Sequence, residues 1–482
     1  MTIRAPTIRE TFPQSEIINR TRLAGAAGFG LLAFALARAP LLLSVVALTG
    51  AGLVLATLVQ PVVGLVALAA AIPFGDFLPL PIRSVNAIDL LVALAIAGWL
   101  AQGIARREVL FRPPPLLWPL AALLGIGALS LLQASSWSEG APELLKWVEF
   151  TAVYLVATQV LDRRHVWWVV GALLAAGLVE VALGAYQFLR QVGPEAFILA
   201  GRFMRAYGTF RQPNPYAGYL GYLVPVAVSL SLAGVWLWWR SRRPIDLAIG
   251  ASCGVASLAL IAGIGLSWSR GSWIALAAAL LAVMAMRNRR AAIAVLVAGL
   301  VLVVILLVAG TAWLPGALSE RVTGLGSYVA GPNPNRTEIT DENFAVLERL
   351  AHWQVGWRMF EDRPWIGVGI GNYGTEYGRY APAHWYEPLG HAHNIFINFI
   401  AETGILGLTA FLLFWLGALR MAWRSAGHLR GFPAALAIGV FGTLIYLTVH
   451  SMFDNLFVQH MQLQLALLLG GVAALDMPKA ES

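Results

Sequence analysis

Two arginines and two histidines, in three short segments, are the side chains of this 482-residue chain best suited to chemistry. Arg211 lies in GTFRQPNPYAG, Arg270 in SWSRGSW, and His391 and His393 in GHAHNIFINFIAETGILG. Each segment borders a long apolar run. An arginine well inside a bilayer costs roughly 2.5–3.5 kcal/mol on insertion scales, so a pair kept beside apolar helices calls for a compensating partner. A guanidinium is planar, permanently charged and grips phosphate oxygens as a fork. Two such forks at the mouth of a helix bundle suit a pyrophosphate anchored by a lipid tail. The alternative is that each arginine snorkels to the interface or pairs with a carboxylate such as Glu402 or Asp454. Histidine titrates near neutrality and can serve as a general base; the alternative for His391 or His393 is an interfacial helix cap. Glycosyl transfer from a sugar pyrophosphate needs one base for the acceptor hydroxyl. It also needs one or two cations for a leaving group that is already good, and no metal is obligatory.

The elements that position these residues are membrane helices. The chain is 59% hydrophobic and 12% charged, with a mean hydropathy of +0.71. Soluble domains carry about 25% charged residues, so the main solvent is lipid. The charge of +8 raises nucleic acid as a partner. The basic residues instead fall in short clusters between apolar runs, which is the positive-inside pattern, and nucleic acid is set aside. Cys253 is the single cysteine, so no intramolecular disulfide framework exists. Apolar runs near 23–39, 41–59, 61–76, 87–105, 116–133, 143–161, 165–189, 213–239, 244–266, 271–286, 291–310, 394–419, 431–450 and 455–475 predict an all-α polytopic protein with about 12–14 spans. The division is a cytoplasmic tail over 1–22, with no cleavable signal peptide; spans over 23–310; an external segment over 311–393; the last three spans over 394–475; and a tail over 476–482. Arg106, Arg107 and Arg112, then Arg163 and Arg164, Arg240 to Arg243, Arg287 to Arg290, and Arg420 to Arg430 share one side, the cytoplasm. The three chemical segments share the other. Within the external segment, 342–360 predicts an amphipathic helix with Phe344, Leu347, Leu350, Ala351 and Val355 on its apolar face, widened by Trp353, Trp357 and Phe360.

His393, Asn394, Gly404 and Gly407 give an H-N, nine residues, G, two residues, G spacing. This resembles the signature of the bacterial O-antigen ligase/polymerase family, which includes protein O-oligosaccharyltransferases. GTFRQPNPYAGYL is similar to that family's Gly-Thr-Phe…Asn-Pro-Asn segment, SWSRGSW to its Ser-Arg-Gly segment, and RLAHWQVGWRMFEDRPWIGVGIGNY to its external segment ahead of the histidine. The likeness covers roughly residues 208–454; the N-terminal spans resemble the family in hydropathy alone. It implies a C-type glycosyltransferase membrane fold in a bacterial inner membrane, with the site facing the periplasm. The donor would be a glycan on undecaprenyl pyrophosphate and the acceptor a lipid A–core, another glycan or a protein, with no cofactor and no metal. By motif position His393 is the base, with His391 as its rival in the HAHN sequence. Arg211 and Arg270 hold the pyrophosphate. Glu402, Asn394, Asp454 and Asn214 are supporting contacts.

Ligase is favoured over polymerase and protein-modifying transferase on the histidine signature. A transporter or lipid flippase is the alternative from another class. It calls for charged or broken helices at the midplane and an inverted repeat, whereas Glu180 stands out as the mid-span acid here. Gly367-Val368-Gly369-Ile370-Gly371 is no nucleotide loop, since it lacks both a preceding strand and a phosphate-loop lysine.

Overall fold

The computed structural model describes residues 40–77, 86–107, 111–199, 201–290, 292–294, 296–297, 299–301, 333–334, 336–340 and 343–477. The expected tail over 1–22, the run at 23–39, most of 291–310 and most of 311–342 lie outside the described residues, as do 478–482. The described residues include fourteen α-helices. They are α1 Leu41–Val59, α2 Val62–Ala71, α3 Ala87–Ala105, α4 Leu117–Ser130, α5 Trp137–Val160, α6 His165–Arg190, α7 Pro213–Ser241, α8 Pro244–Leu266, α9 Arg270–Arg287, α10 Phe344–Asp362, α11 Tyr373–Tyr380, α12 Ile395–His428, α13 Phe432–His450 and α14 Met461–Asp476. A small hairpin, β1 Ile198–Leu199 with β2 Phe203–Met204, interrupts the helical pattern between α6 and α7.

Seven helices among the described residues, α3, α6, α7, α8, α9, α12 and α13, are long and apolar enough to cross a bilayer. The chain is an all-α polytopic membrane protein. Its outer face fits a lipid solvent: Leu41, Val46, Leu55 and Val59 of α1 are all exposed. In water such a surface would drive aggregation. α7 is the centre of the bundle, buried almost all round from Pro213 to Gly234. It starts on Pro213, which lacks an N–H that the first turn could not have used. Pro225 interrupts its ladder, and the Thr443 hydroxyl of α13 donates to the Tyr222 carbonyl at 2.6 Å beside it. α13 approaches closely there: a Cβ at Gly439 would lie 2.6 Å from the Val226 Cα. Small residues that let backbones touch are the usual means of joining helices in lipid.

Three elements depart from the sequence pattern. The run at 455–475 becomes helical only at Met461. Before it, Asp454 Oδ1 accepts from Asn455 N–H at 2.9 Å and Asn455 Oδ1 from Phe457 N–H at 3.0 Å, so short polar side chains hold the backbone in turns. α12 breaks at Gly404, where φ is 63° and ψ −166°. A Cβ there would sit 2.3 Å from the Trp365 carbonyl carbon, and the N–H of Ile405 donates to the Pro364 carbonyl at 2.8 Å. Hydropathy cannot register either event. α10 forms where the amphipathic helix was expected, but rotated. Leu347, Ala351, His352, Val355 and Met359 are buried, while Phe344 and Trp357 face outward. The inward face thus carries a histidine that an apolar count passes over.

Candidate active site

The first turn of α12 is capped by Asn394, whose Oδ1 accepts from the N–H of Phe396 and Ile397 at 3.0 and 3.2 Å. Its Nδ2 donates to the Met452 carbonyl at 3.2 Å, and the Ile395 N–H donates to the Ser451 carbonyl at 2.9 Å. One residue therefore starts the helix and fastens to it the loop that joins α13 to α14, and that loop carries Asp454. Ahead of the cap, His393 sits in the left-handed region at φ 51°, a conformation that costs a non-glycine residue energy and gathers at functional sites.

His393 Nδ1 lies 3.3 Å from Asp454 Oδ1. Asp454 Oδ1 also accepts from the Asn455 N–H, and its Oδ2 accepts from Asn214 Nδ2 at 2.9 Å. Burial pushes the Asp454 carboxyl up, but the His393 hydrogen bond and the charges of His393, His391 and Arg349 outweigh it and hold it well below the usual carboxylate range. A carboxylate can only accept, so the proton of a neutral His393 ring sits on Nδ1 and its Nε2 presents a lone pair. Nε2 is buried, and no protein group among the described residues bonds it. His391 is wired the other way. Its Nδ1 accepts from the His393 N–H at 3.1 Å, which leaves the proton of a neutral ring on Nε2.

Of the residues expected from sequence, His391, His393, Asn394, Asn214 and Asp454 are thus brought into one network. Arg270 opens α9 next to it: a Cβ at the following Gly271 would lie 3.1 Å from His450 Cδ2 and 3.4 Å from Phe453 Cβ. Arg211 is exposed, two residues ahead of α7 and three ahead of Asn214. α7, α9 and α12 all begin at this end, so three helix N-termini with their partial positive charge converge here. Glu402 stands apart, accepting from the Tyr373 N–H at 3.2 Å and so holding the 367–373 turn.

Four residues join the site that sequence reasoning did not single out. Arg205 donates through Nε to the Ser267 carbonyl at 2.8 Å and through a terminal nitrogen to Asn214 Oδ1 at 3.2 Å, tying two of the motif segments together. Lys146 of α5 donates to the Phe457 carbonyl at 2.9 Å. Arg349 of α10 donates to the Phe453 carbonyl at 2.9 Å. His352, one turn along α10, meets the His393 ring edge-on at 5.5 Å. The spacing of Arg349 and His352 on one helix face was the signal available for the last two.

Residues 255–412 match the family model for O-antigen ligase. That match supports the O-antigen ligase family. Members of that family are enzymes. The matched part of the ligase domain runs from within α8 to within α12 and includes Arg270, His391, His393, Asn394 and Glu402. Arg211, Asn214 and Asp454 lie outside it; Asn214 and Asp454 reach it through the contacts above. No curated protein matches the chain.

Burial, aided by the charges of His393, His391 and Arg349, pushes His352 down to about 3. Burial and the charges of His393, Lys146 and Arg349 push His391 down to about 4 against the pull of Asp454. Both rings are neutral in the folded protein at pH values where the unfolded chain, with a histidine pKa of about 6.5, binds a proton. Their contribution is present above that value and is lost as pH falls below it toward 4 and then 3. The melting temperature in detergent is therefore expected to drop between pH 6.5 and 4, and less steeply in His352→Gln. An equal slope in the variant would contradict this account.

A second group of titratable side chains lies among α3, α5 and the start of α14. Ligand atoms of Asp89, Glu149 and His460 lie within 4.8 Å of one another. Glu149 is 8% exposed within α5, so Glu180 is not alone as a mid-span acid. Asn86 Oδ1 is fixed by the N–H groups of Ile88 and Asp89, so its Nδ2 donates to His460 Nε2 at 2.7 Å. The His460 proton then lies on Nδ1, facing Asp89 Oδ1 at 3.9 Å. With Nε2 engaged by Asn86 and the proton on Nδ1, this tautomer of His460 offers no lone pair for a metal.

Proposed function

We propose that this O-antigen ligase family member transfers a glycan from a polyprenyl (undecaprenyl) pyrophosphate carrier to an acceptor hydroxyl, at the periplasmic face of a bacterial inner membrane. The observation that carries the reading is His393, with Nδ1 held by an ionised Asp454 and Nε2 left as a buried lone pair. In the reaction, His393 Nε2 takes the proton of the acceptor hydroxyl as its oxygen attacks the anomeric carbon. The bond from that carbon to the pyrophosphate oxygen breaks, and the electron pair leaves with the pyrophosphate. Arg211, Arg270 and the three helix N-termini stabilise the charge that departs. His391, with its proton on Nε2, donates a hydrogen bond rather than acting as the base. The histidine signature favours lipid A–core as acceptor, a ligase; a growing glycan or a protein hydroxyl would make it a polymerase or a protein-modifying transferase.

One experiment with two arms tests this. Purified full-length protein in detergent is given a polyprenyl-pyrophosphate-linked glycan and a panel of lipid A–core, glycan and peptide acceptors. Transfer is expected with lipid A–core and is expected to persist in EDTA. His391, His393 and Asp454 can bring ligand atoms within 4.8 Å of one another, so loss of transfer in the chelator would reassign the cluster to a metal. In the second arm, a reporter after Gly331 is expected to be active outside and one after Arg242 inside. The reverse would move the site to the cytoplasm and end this reading.

A further inference from the structure

Arg349 stands out among the groups that the proposed reaction does not use. It comes from α10, which packs on α11 and α12, and reaches across to the loop between α13 and α14. Its Nε donates to the carbonyl of Phe453, the residue before Asp454, and a terminal nitrogen donates to the Ala345 carbonyl of its own helix at 2.7 Å. The carbonyls of Ser451, Met452 and Phe453 are thus bound in turn by Ile395, Asn394 and Arg349. The first two of these come from the histidine segment itself, and the third comes from a separate helix.

We propose that Arg349 is a positioning residue for the His393–Asp454 pair, acting both as a strut and as a fixed positive charge; the proposal rests on His393 being the base. The strut is the Nε bond, which sets the height of Asp454 against His393. An arginine, which donates and never accepts, is suited to a backbone carbonyl. The charge acts because the site is half-closed to water, where pairwise interactions are stronger than in bulk solvent. A cation at this place supports the carboxylate of Asp454, which holds His393 Nδ1. Other charged and titratable groups face the pair from every side. From α10 come Glu348 and His352; from the histidine segment, His391; from α5, Lys146; from α13, His450; and from the turn before α7, Arg205 through Asn214. Within this set two cations also hold the loop bearing Asp454: Lys146 binds it at Phe457, three residues beyond the aspartate, and Arg349 binds it at Phe453, the residue directly before it.

The strut and the charge can be separated. Arg349→Lys keeps the charge and loses the Nε bond. It is expected to lower kcat about 10-fold, the scale of a lost hydrogen bond near a charged pair, with the acid limb of the pH–rate profile unmoved. Arg349→Gln loses the charge. It is expected to lower kcat at least as much and to move the acid limb to higher pH, with KM for the polyprenyl-pyrophosphate donor within about twofold of wild type. In a His393→Ala background, Arg349→Gln is expected to cost nothing further in kcat, since residues acting through one another are not additive. Additive losses in the double variant, an unmoved limb in Arg349→Gln, or a raised KM with kcat intact would each overturn the proposal, the last by making Arg349 a substrate contact. If Arg349→Gln fails to accumulate, Arg349→Lys alone still decides: a shifted limb there would refute the division of roles. Unimpaired transfer by His393→Ala alone would instead refute the base assignment, an outcome distinct from those.

Discussion

Replacing His393 with alanine is expected to lower glycan transfer by about 10²–10⁴-fold, the range that general-base assistance supplies, while donor binding is largely kept. The expectation follows from the wiring of the ring. Asp454 is an acceptor on every side, from Asn214, from Asn455 and from His393, so the lone pair of His393 must lie on Nε2. Asp454→Asn would replace the acceptor facing Nδ1 with a group that can donate, and should cost a large part of the same factor by releasing the tautomer. His391→Ala is expected to be milder, because its Nδ1 is engaged by the His393 N–H and its Nε2 bears the proton. The measurement is initial transfer rate by purified protein at saturating acceptor. Near-normal rates in His393→Ala beside an inactive His391→Ala would move the base to the other histidine. Near-normal rates in a variant lacking both would remove histidine from the mechanism.

The pattern of residues made the membrane class and the principal site segments legible because both depend on local signals. α3 and α8 fall at 87–105 and 244–266, the bounds of their apolar runs, since a capping Asn86 and an N-terminal Pro244 mark the starts. The H-N pair was legible for a physical reason as well: a histidine that needs a fixed backbone is followed by an asparagine that caps the next helix and grips a distant loop. What hydropathy could not convey was anything decided by contact across the bundle. The stretch after Asp454 is apolar enough to read as helix from 455, yet its first residues form turns set by side chains bonding their own backbone. Arg205 and Arg349 act on carbonyls 62 and 104 residues away in sequence, a separation no local spacing encodes. The rotation of α10 has the same origin. Its buried face follows the surface of α11 and α12 that it meets, where Gly356 packs on Ile397 and His352 on Tyr373 and Tyr377.

Removing both Arg211 and Arg270 is expected to lower transfer by at least about 10²-fold, the scale of losing donors aimed at developing negative charge. Arg270→Lys alone is expected to be clearly impaired although the charge remains, because an ammonium is a point charge and cannot grip two phosphate oxygens in one plane. The two positions differ in what surrounds them. Arg270 is half-buried at the first turn of α9, pressed against the loop that bears Asp454 through Gly271. Its charge adds to the helix N-terminus in a place where water screens little. Arg211 is exposed, so water and salt weaken it. The single Arg211→Ala should therefore cost less than the single Arg270→Ala, and its cost should shrink as ionic strength rises, whereas that of Arg270→Ala should hold. A donor held by its pyrophosphate in both ground and transition state would show the loss in KM. A clamp that tightens as the sugar departs would show it in kcat. The departing pyrophosphate gains negative charge along the reaction, so the larger share is expected in kcat for Arg270. Full activity in the double variant would exclude both arginines from the donor site and leave Arg205, bridging Ser267 and Asn214, as the arginine to test in their place.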